Sequence, residues 1–283
     1  MENRPSSPVT SVADTARWVA VYRAWETARP DALFHDPFAQ SLAGDRGREI
    51  AKLMPPSARN GWPIIARTKL IDDLVQRAIA DDFDCVVNLA AGFDTRPFRL
   101  ELPESLRWIE LDLPPLIEEK NRKLADAKPR CRLLRIGVDL TNADARNAAL
   151  RDALAASTRA LVLTEGLLLY LSEPQVRDLA LNLAALDGVR SWVLDLASPA
   201  ILGMMRKDMG THLANAPLKF APASGVAYFE ALGWRVAAVN SILHAAGHFR
   251  RLPWFLRLIS NLPEPNPRRL THARWSGVVQ LVR

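Results

Sequence analysis

An α/β architecture, a doubly wound and mostly parallel seven-stranded sheet behind a helical leader, is the fold this 283-residue sequence predicts. Two observations carry that expectation. From Phe83 onward, short apolar runs alternate with helix-like segments, the signature of strands joined by crossover helices. The first such run, Val86-Val87-Asn88-Leu89-Ala90-Ala91-Gly92-Phe93-Asp94-Thr95-Arg96, breaks at small residues and then presents an acid, a hydroxyl and a guanidinium. Small residues let the backbone approach a ligand, and open α/β sheets bind ligands at the carboxyl ends of their strands.

Residues 1–10 are polar with prolines and no apolar signal core, and read as a frayed tail of a chain that is not secreted. Residues 14–80 read as helical, with Asp14 or Thr15 capping the first turn and Arg29-Pro30-Asp31 stopping that helix. Leu70, Ile71, Leu74, Val75, Ala78 and Ile79 recur at helical spacing and should lie on the sheet edge, with Arg67 and Thr68 in the first turn of their helix. Strands are expected near 84–90, 106–111, 132–137, 160–165, 190–196, 234–240 and 276–282, and helices near 114–126, 142–156, 173–186 and 224–231. Ser172 should cap the third of these helices, with Pro174 in its first turn.

Two segments interrupt the alternation. Residues 199–222 carry Met204, Met205, Met209, His212 and Phe220, and read either as a substrate-covering insertion or as a helix packing its methionines on the core. Residues 244–267, rich in Phe, Trp, Leu and Pro, read as a second insertion. The division expected is a leader or cap over 1–80 and a sheet domain over 81–283.

Composition narrows the function. No apolar run approaches the roughly 20 residues of a membrane helix, so a soluble, cytoplasmic protein with no membrane contact is expected. Cys85 and Cys131 lack metal or disulfide spacing and read as reduced core thiols. The net charge of +6 invites a nucleic-acid reading, but the arginines are scattered and form no aromatic-interleaved stripe. Composition leaves the oligomeric state open.

The strand ends suggest a nucleotide-bearing ligand. Gly92 supplies one of the three glycines of G-x-G-x-x-G, with Ala90 in the first place. Alanine resists a positive φ, so a reshaped loop is expected. Asp112 follows Gly92 by twenty residues, a spacing that suits a carboxylate accepting from ribose hydroxyls. Glu110 is assigned to the opposite face. Gly137-Val138-Asp139-Leu140 and Leu161-Val162-Leu163-Thr164-Glu165-Gly166 add two further polar strand ends. Asp139 is also placed to cap a helix, and Glu165 enters the interior, where an unpaired charge is costly and a cation or ligand partner is required.

The stretches "VVNLAAGFDTRPFRL", "WIELDLPPLIEEK", "VDL" and "LTEGLLLYLSEPQV" resemble the serial motifs of the leucine carboxyl methyltransferase-like family. "TARWVAVYRAWETARPDALFHDPFAQSLAG" and "ARTKLIDDLV" resemble its helical leader, so the likeness runs from about Thr15 to about Val176. The resemblance implies a class I, Rossmann-like fold, S-adenosylmethionine as cofactor, no metal, and a last strand running antiparallel. It places Arg67 and Arg96 at the positions that bind the cofactor's carboxylate. Ala90, Gly92, Asp94 and Thr95 would form its loop. The chemistry of the cofactor then assigns Asp112 to the ribose, Asp139 and Leu140 to the adenine, and Glu165 to the amino group.

The acceptor implied is a small molecule, an anionic hydrophobic acid methylated on its carboxylate. Arg206, Lys207, His212 and Lys219 would attract it, and Met204, Met205 and Phe220 would give adaptable apolar contact. A carboxylate needs no general base; a hydroxyl acceptor would, and His35 and His212 are the candidates. Competing readings are a protein C-terminal carboxyl methyltransferase, a phenol or hydroxyl O-methyltransferase, and a non-catalytic cofactor- or RNA-binding protein. A nicotinamide-dependent oxidoreductase explains the glycine loop and Asp112 but neither "GFDTR" nor "TEGLLLYL".

Overall fold

The computed structural model describes residues 9–56, 58–210, 212–213 and 215–283. Most of the amino-terminal tail expected to fray lies outside them. The leader forms α1 (Val12–Thr27), α2 (Ala39–Leu53) and α3 (Trp62–Ala80). The sheet region follows as β1 (Cys85–Leu89), α4 (Arg96–Arg99), β2 (Arg107–Asp112), α5 (Pro114–Lys123), β3 (Arg132–Gly137), α6 (Ala143–Leu154), β4 (Ala160–Thr164), α7 (Glu173–Ala185) and β5 (Val189–Ala197). It ends with α8 (Pro199–Met209), α9 (Ala227–Glu230), β6 (Arg235–Ser241), α10 (Ile242–His248), α11 (Trp254–Arg257) and β7 (Ser276–Val282).

The seven strands lie in the order β3-β2-β1-β4-β5-β7-β6. β7 pairs antiparallel with both β5 and β6, and the other pairings are parallel. The order reverses between β1 and β4, and that switch point opens a crevice at the strands' carboxyl ends. Cys85 and Cys131 are buried free thiols on strands flanking β2, or directly beside them.

β1 and β4 are buried at every residue, so both sheet faces need an apolar cover. On one face Val87, Leu89, Ile109, Leu111, Val162 and Trp192 pack with α6 and α7. On the other, Leu70, Ile71, Leu74, Val75 and Ala78 of α3 meet Val86, Leu161, Leu163, Val193 and Val278. The helix expected at the sheet edge therefore crosses the central strands, because those strands carry the uncovered apolar face. A third cluster joins α1 and α2 to Phe93, Phe98, Leu116 and Leu202.

Four local expectations change. Arg67 and Thr68 lie in the second turn of α3, not the first, because the helix starts at Trp62. The cap of α1 is Ser11, while Asp14 reaches back to accept from the Thr10 N–H at 2.9 Å and its hydroxyl at 2.8 Å. Glu110 and Asp112 share a face of β2, since side chains two apart in a strand point the same way. What separates them is position: Glu110 lies buried against Lys120 (2.8 Å) and Arg135 (2.9 Å), and Asp112 reaches the strand end. The helix expected over 224–231 is shortened to one turn at Ala227–Glu230. Ser172 does cap α7, in a reciprocal capping box with Gln175.

Ala90 adopts φ +56°. The loop keeps the left-handed geometry that a glycine would take without cost, and alanine bears a strain of roughly 1–2 kcal/mol there. We expect Ala90→Gly to raise stability by about 1 kcal/mol once glycine's added unfolded-state freedom is subtracted. Urea unfolding reads this directly, and an unchanged or lower midpoint would count against strain at this position.

Candidate active site

The carboxyl ends of the strands open into a cavity of about 680 Å³, within the range of small-molecule sites, roughly 300–1,000 Å³. Its floor is the β1 loop and the ends of β2, β4 and β5; Trp18 and Val19 of α1 and Ile64 of α3 close it from the leader side. Met204, Met205 and Met209 of α8 complete the wall. The leader is tied to the loop it covers by Arg23, which donates to Asp36 at 2.8 Å and to the Phe93 carbonyl at 2.6 Å.

Asp112 organises the loop. It accepts from the Gly92 N–H through Oδ2 at 2.6 Å and from the Leu113 N–H through Oδ1 at 2.7 Å. Burial nonetheless pushes its carboxyl above the usual range, the two N–H donors and Lys120 opposing this only in part. Gly92 turns at φ +47°, and a Cβ there would stand 3.3 Å from Ala16. Asp139 accepts from the Thr141 N–H and hydroxyl at 2.9 and 2.7 Å. The cap of α6 is Asn142, which accepts from Ala145 at 3.1 Å, so Asp139 sits in the cavity wall without that task. Leu140 lies beside it, buried.

Glu165 meets two cations. Arg67 donates to it from Nε at 3.0 Å and Arg96 from Nη1 at 2.9 Å. Burial drives the Glu165 carboxyl up, but the Arg96 and Arg67 guanidiniums outweigh burial and hold it below its usual value. Arg67 also donates from Nη1 to Asp195 at 2.9 Å, and Asp195 accepts from the Gly166 N–H at 2.6 Å. Arg96 spans Asp72 (2.6 Å), Asp94 (2.7 Å) and Glu165 and is only 2% exposed. Arg96, expected to bind a ligand carboxylate, lies in the cavity wall with three acids on its guanidinium, which holds Asp94 and Glu165 in place. Arg67 lies in the cavity wall, and its Nε and Nη1 take up the bonds to Glu165 and Asp195.

Other expected residues fall outside the wall. Thr95 is fully buried behind the loop at the start of α4. His35 is exposed between the buried Phe34 and Asp36, and neither it nor His212 lines the cavity. Of the four basic residues assigned to attract an acid, Lys219 alone is in the wall. Arg206 donates to the Leu218 carbonyl at 2.9 and 2.7 Å, Lys207 is exposed elsewhere, and Phe220 turns into the core against Phe229. Among the described wall residues the charges are four cations (Arg23, Arg67, Arg96, Lys219) and six acids (Asp94, Asp112, Asp139, Glu165, Asp195, Asp208), an excess of two negative charges. The wall is thus of mixed sign, with several of its charges paired to one another.

Asp72, Asp195 and Tyr170 were not singled out in the sequence. Tyr170 stands in the wall with its hydroxyl pushed up to about 12 by burial. Asp195 had a signal, an acid closing an apolar strand as Glu165 does. Asp72 lies four residues after Thr68 on the stripe that α3 buries.

Comparison with known proteins agrees with this geometry. Residues 16–184 match the family model for leucine carboxyl methyltransferase. A protein of Frankia alni is 33% identical over 84% of this chain and 87% of its own length. One of Mycolicibacterium smegmatis is 33% identical over 86% and 90%. Both bear provisional names as S-adenosyl-L-methionine-dependent methyltransferases. Among solved structures, a provisionally named methyltransferase of Thermobifida fusca superposes with a TM-score of 0.58 at 14% identity, covering 96% of this chain and 94% of that one. A DUF574 family protein of Streptomyces avermitilis gives 0.55 at 12% identity, covering 94% and 96%. These two likenesses show the class I fold. With the family match and the relatives, they make this chain a member of the leucine carboxyl methyltransferase family and an S-adenosylmethionine-dependent methyltransferase.

Proposed function

We propose that this enzyme methylates a carboxylate of a small, largely apolar acid. The observation that carries the reading is the α8 side of the cavity, where Ile201, Met204, Met205 and Met209 give a yielding apolar wall and Lys219 adds a cation with no ion-pair partner among the described residues. The family's name and the position of both histidines off the wall also favour an acceptor already ionised at neutral pH.

The cofactor-binding roles fit the wall as it stands. Asp112 has lone pairs left after its two backbone bonds and would accept from the ribose hydroxyls. Asp139 and Leu140 would hold the adenine, one by a hydrogen bond and one by packing. Glu165, ionised between Arg67 and Arg96, would accept from the ammonium, with Arg67 Nη2 turned to the neighbouring carboxylate. The excess of acids suits a ligand bearing a sulfonium and an ammonium. When bound, that cofactor supplies a methyl group activated for in-line displacement. The protein's contribution is alignment and dryness: α1, α3 and α8 exclude water, and Lys219 would orient the acceptor's carboxylate.

The test is incubation with labelled cofactor and a panel of apolar acids, matched phenols and peptides. We expect labelled products from the acids, released as methanol in mild base. Base-stable ethers formed from the phenols alone would refute carboxyl transfer.

A further inference from the structure

Among the described residues ten large apolar side chains are exposed, and five of them, Trp254, Phe255, Leu258, Ile259 and Leu262, fall within nine residues. Trp254 is 80% and Leu258 78% exposed, so these side chains do not pack on their own protein, although Leu252, Leu256 and Ser260 of the same stretch do. Isolated exposed apolar residues are ordinary; a contiguous group marks a surface that something else covers. The cavity described above uses none of these five.

Charge decides what covers them. Residues 244–269 hold five arginines (Arg250, Arg251, Arg257, Arg268, Arg269) and one acid, Glu264. Arg251 is engaged by Glu26 and Asp31, Arg268 by Glu230, and Glu264 by His244 at 2.8 Å. Arg250 and Arg257 face no carboxylate among the described residues, and they line a polar hollow with His244 and His248 directly beside the apolar group. A second copy of this chain docked by the same face would bring the same excess of arginine, with Glu264 as its one acid, to meet this one. An anionic surface with an apolar interior has no such conflict: the guanidiniums meet its charges while the Trp, Phe and Leu side chains enter below them.

We propose that residues 250–262 dock this enzyme on the surface of an anionic lipid bilayer. The attachment is peripheral, since no helix of the described residues is long and apolar enough to cross a membrane. It departs from the composition-based expectation of no membrane contact, which concerned spanning segments. α10 links the two sites: Ile242 at its start lines the cavity, and Gly247 near its end packs under Ser260 of the exposed segment. At a rise of 1.5 Å per residue, about 7.5 Å of helix separates them. An apolar acceptor held in the bilayer would be gathered near the cavity.

The experiment is sedimentation of the full chain with vesicles of phosphatidylcholine, with and without one-third phosphatidylglycerol, across a salt series. We expect binding to the anionic vesicles that weakens with salt, and little to the neutral ones. Trp254→Ala with Leu258→Ala should cut binding more than tenfold. Arg250→Asn with Arg257→Gln should cut it roughly twenty-five-fold, about fivefold for each cation at the surface. Melting temperature and S-adenosylhomocysteine affinity should stay unchanged in both variants. Absence of partitioning, equal binding to neutral vesicles, or unchanged binding by the variants would overturn the proposal. So would tight binding of inorganic phosphate without vesicle binding, or concentration-dependent self-association that the Trp254 and Leu258 variant abolishes while no vesicle binding is seen.

Discussion

Replacing Arg96 by methionine is expected to remove about 3–5 kcal/mol of stability, the loss that follows when one partner of a buried ion cluster is deleted. Arg96 is 2% exposed and holds Asp72, Asp94 and Glu165, so its removal leaves acids in the interior with fewer cations. Against a typical folding free energy of roughly 5–15 kcal/mol, that loss is a large fraction of the total. Urea unfolding measures it; a loss under about 1 kcal/mol would show that the cluster is no more than a surface-grade pairing. Lysine at this position should rescue little, because a single ammonium cannot reproduce a planar fork across three carboxylates. The cluster also sets acid sensitivity. Burial raises Asp94 and Glu165, but the guanidiniums lower them further, to below their ordinary values of 3.8 and 4.5. Their contribution is therefore present above those values and is lost as pH falls through the lowered ones. Wild-type stability should drop below about pH 4 in the same titration, and the drop should shrink in Arg96→Met.

Asp112→Ala is expected to weaken S-adenosylhomocysteine binding roughly ten- to a hundredfold, the cost of about 1.5–3 kcal/mol for hydrogen bonds to a charged group. Two effects combine there. The carboxylate proposed to meet the ribose is gone, and the Gly92 N–H loses the acceptor that fixes the loop. The fold should survive, since Asp112 stands at a strand end and Leu111 beneath it keeps its core contacts. Calorimetric titration of a variant whose circular dichroism matches the wild type would settle this, and unchanged affinity would remove Asp112 from the site.

The sheet was readable because its evidence is local: apolar runs of strand length, each followed by a helix with its own start signal, such as Ser172-Glu173-Pro174. The loop glycine and the acids at 112, 139 and 165 were readable because strand ends converge in any sheet of this order. The partners of Arg96 could not be read from sequence. Whether a guanidinium is free for a ligand depends on which acids the fold brings to it, and Asp72 comes from a helix twenty-four residues earlier. Lys219 and Arg206 illustrate the same limit, since both are basic residues of one segment and only the packing of α8 decides which faces the cavity. His35 was a candidate base only by residue type; the chain buries its neighbours Phe34 and Asp36 and leaves the ring exposed.

The central claim is that the crevice at the β1 and β4 strand ends holds S-adenosylmethionine, and calorimetric titration of the wild-type chain with S-adenosylhomocysteine and with NAD tests it most directly. The account predicts micromolar binding of S-adenosylhomocysteine, a rise in melting temperature with ligand because only the folded state binds it, and no heat with NAD. Binding of NAD with no response to S-adenosylhomocysteine would contradict it.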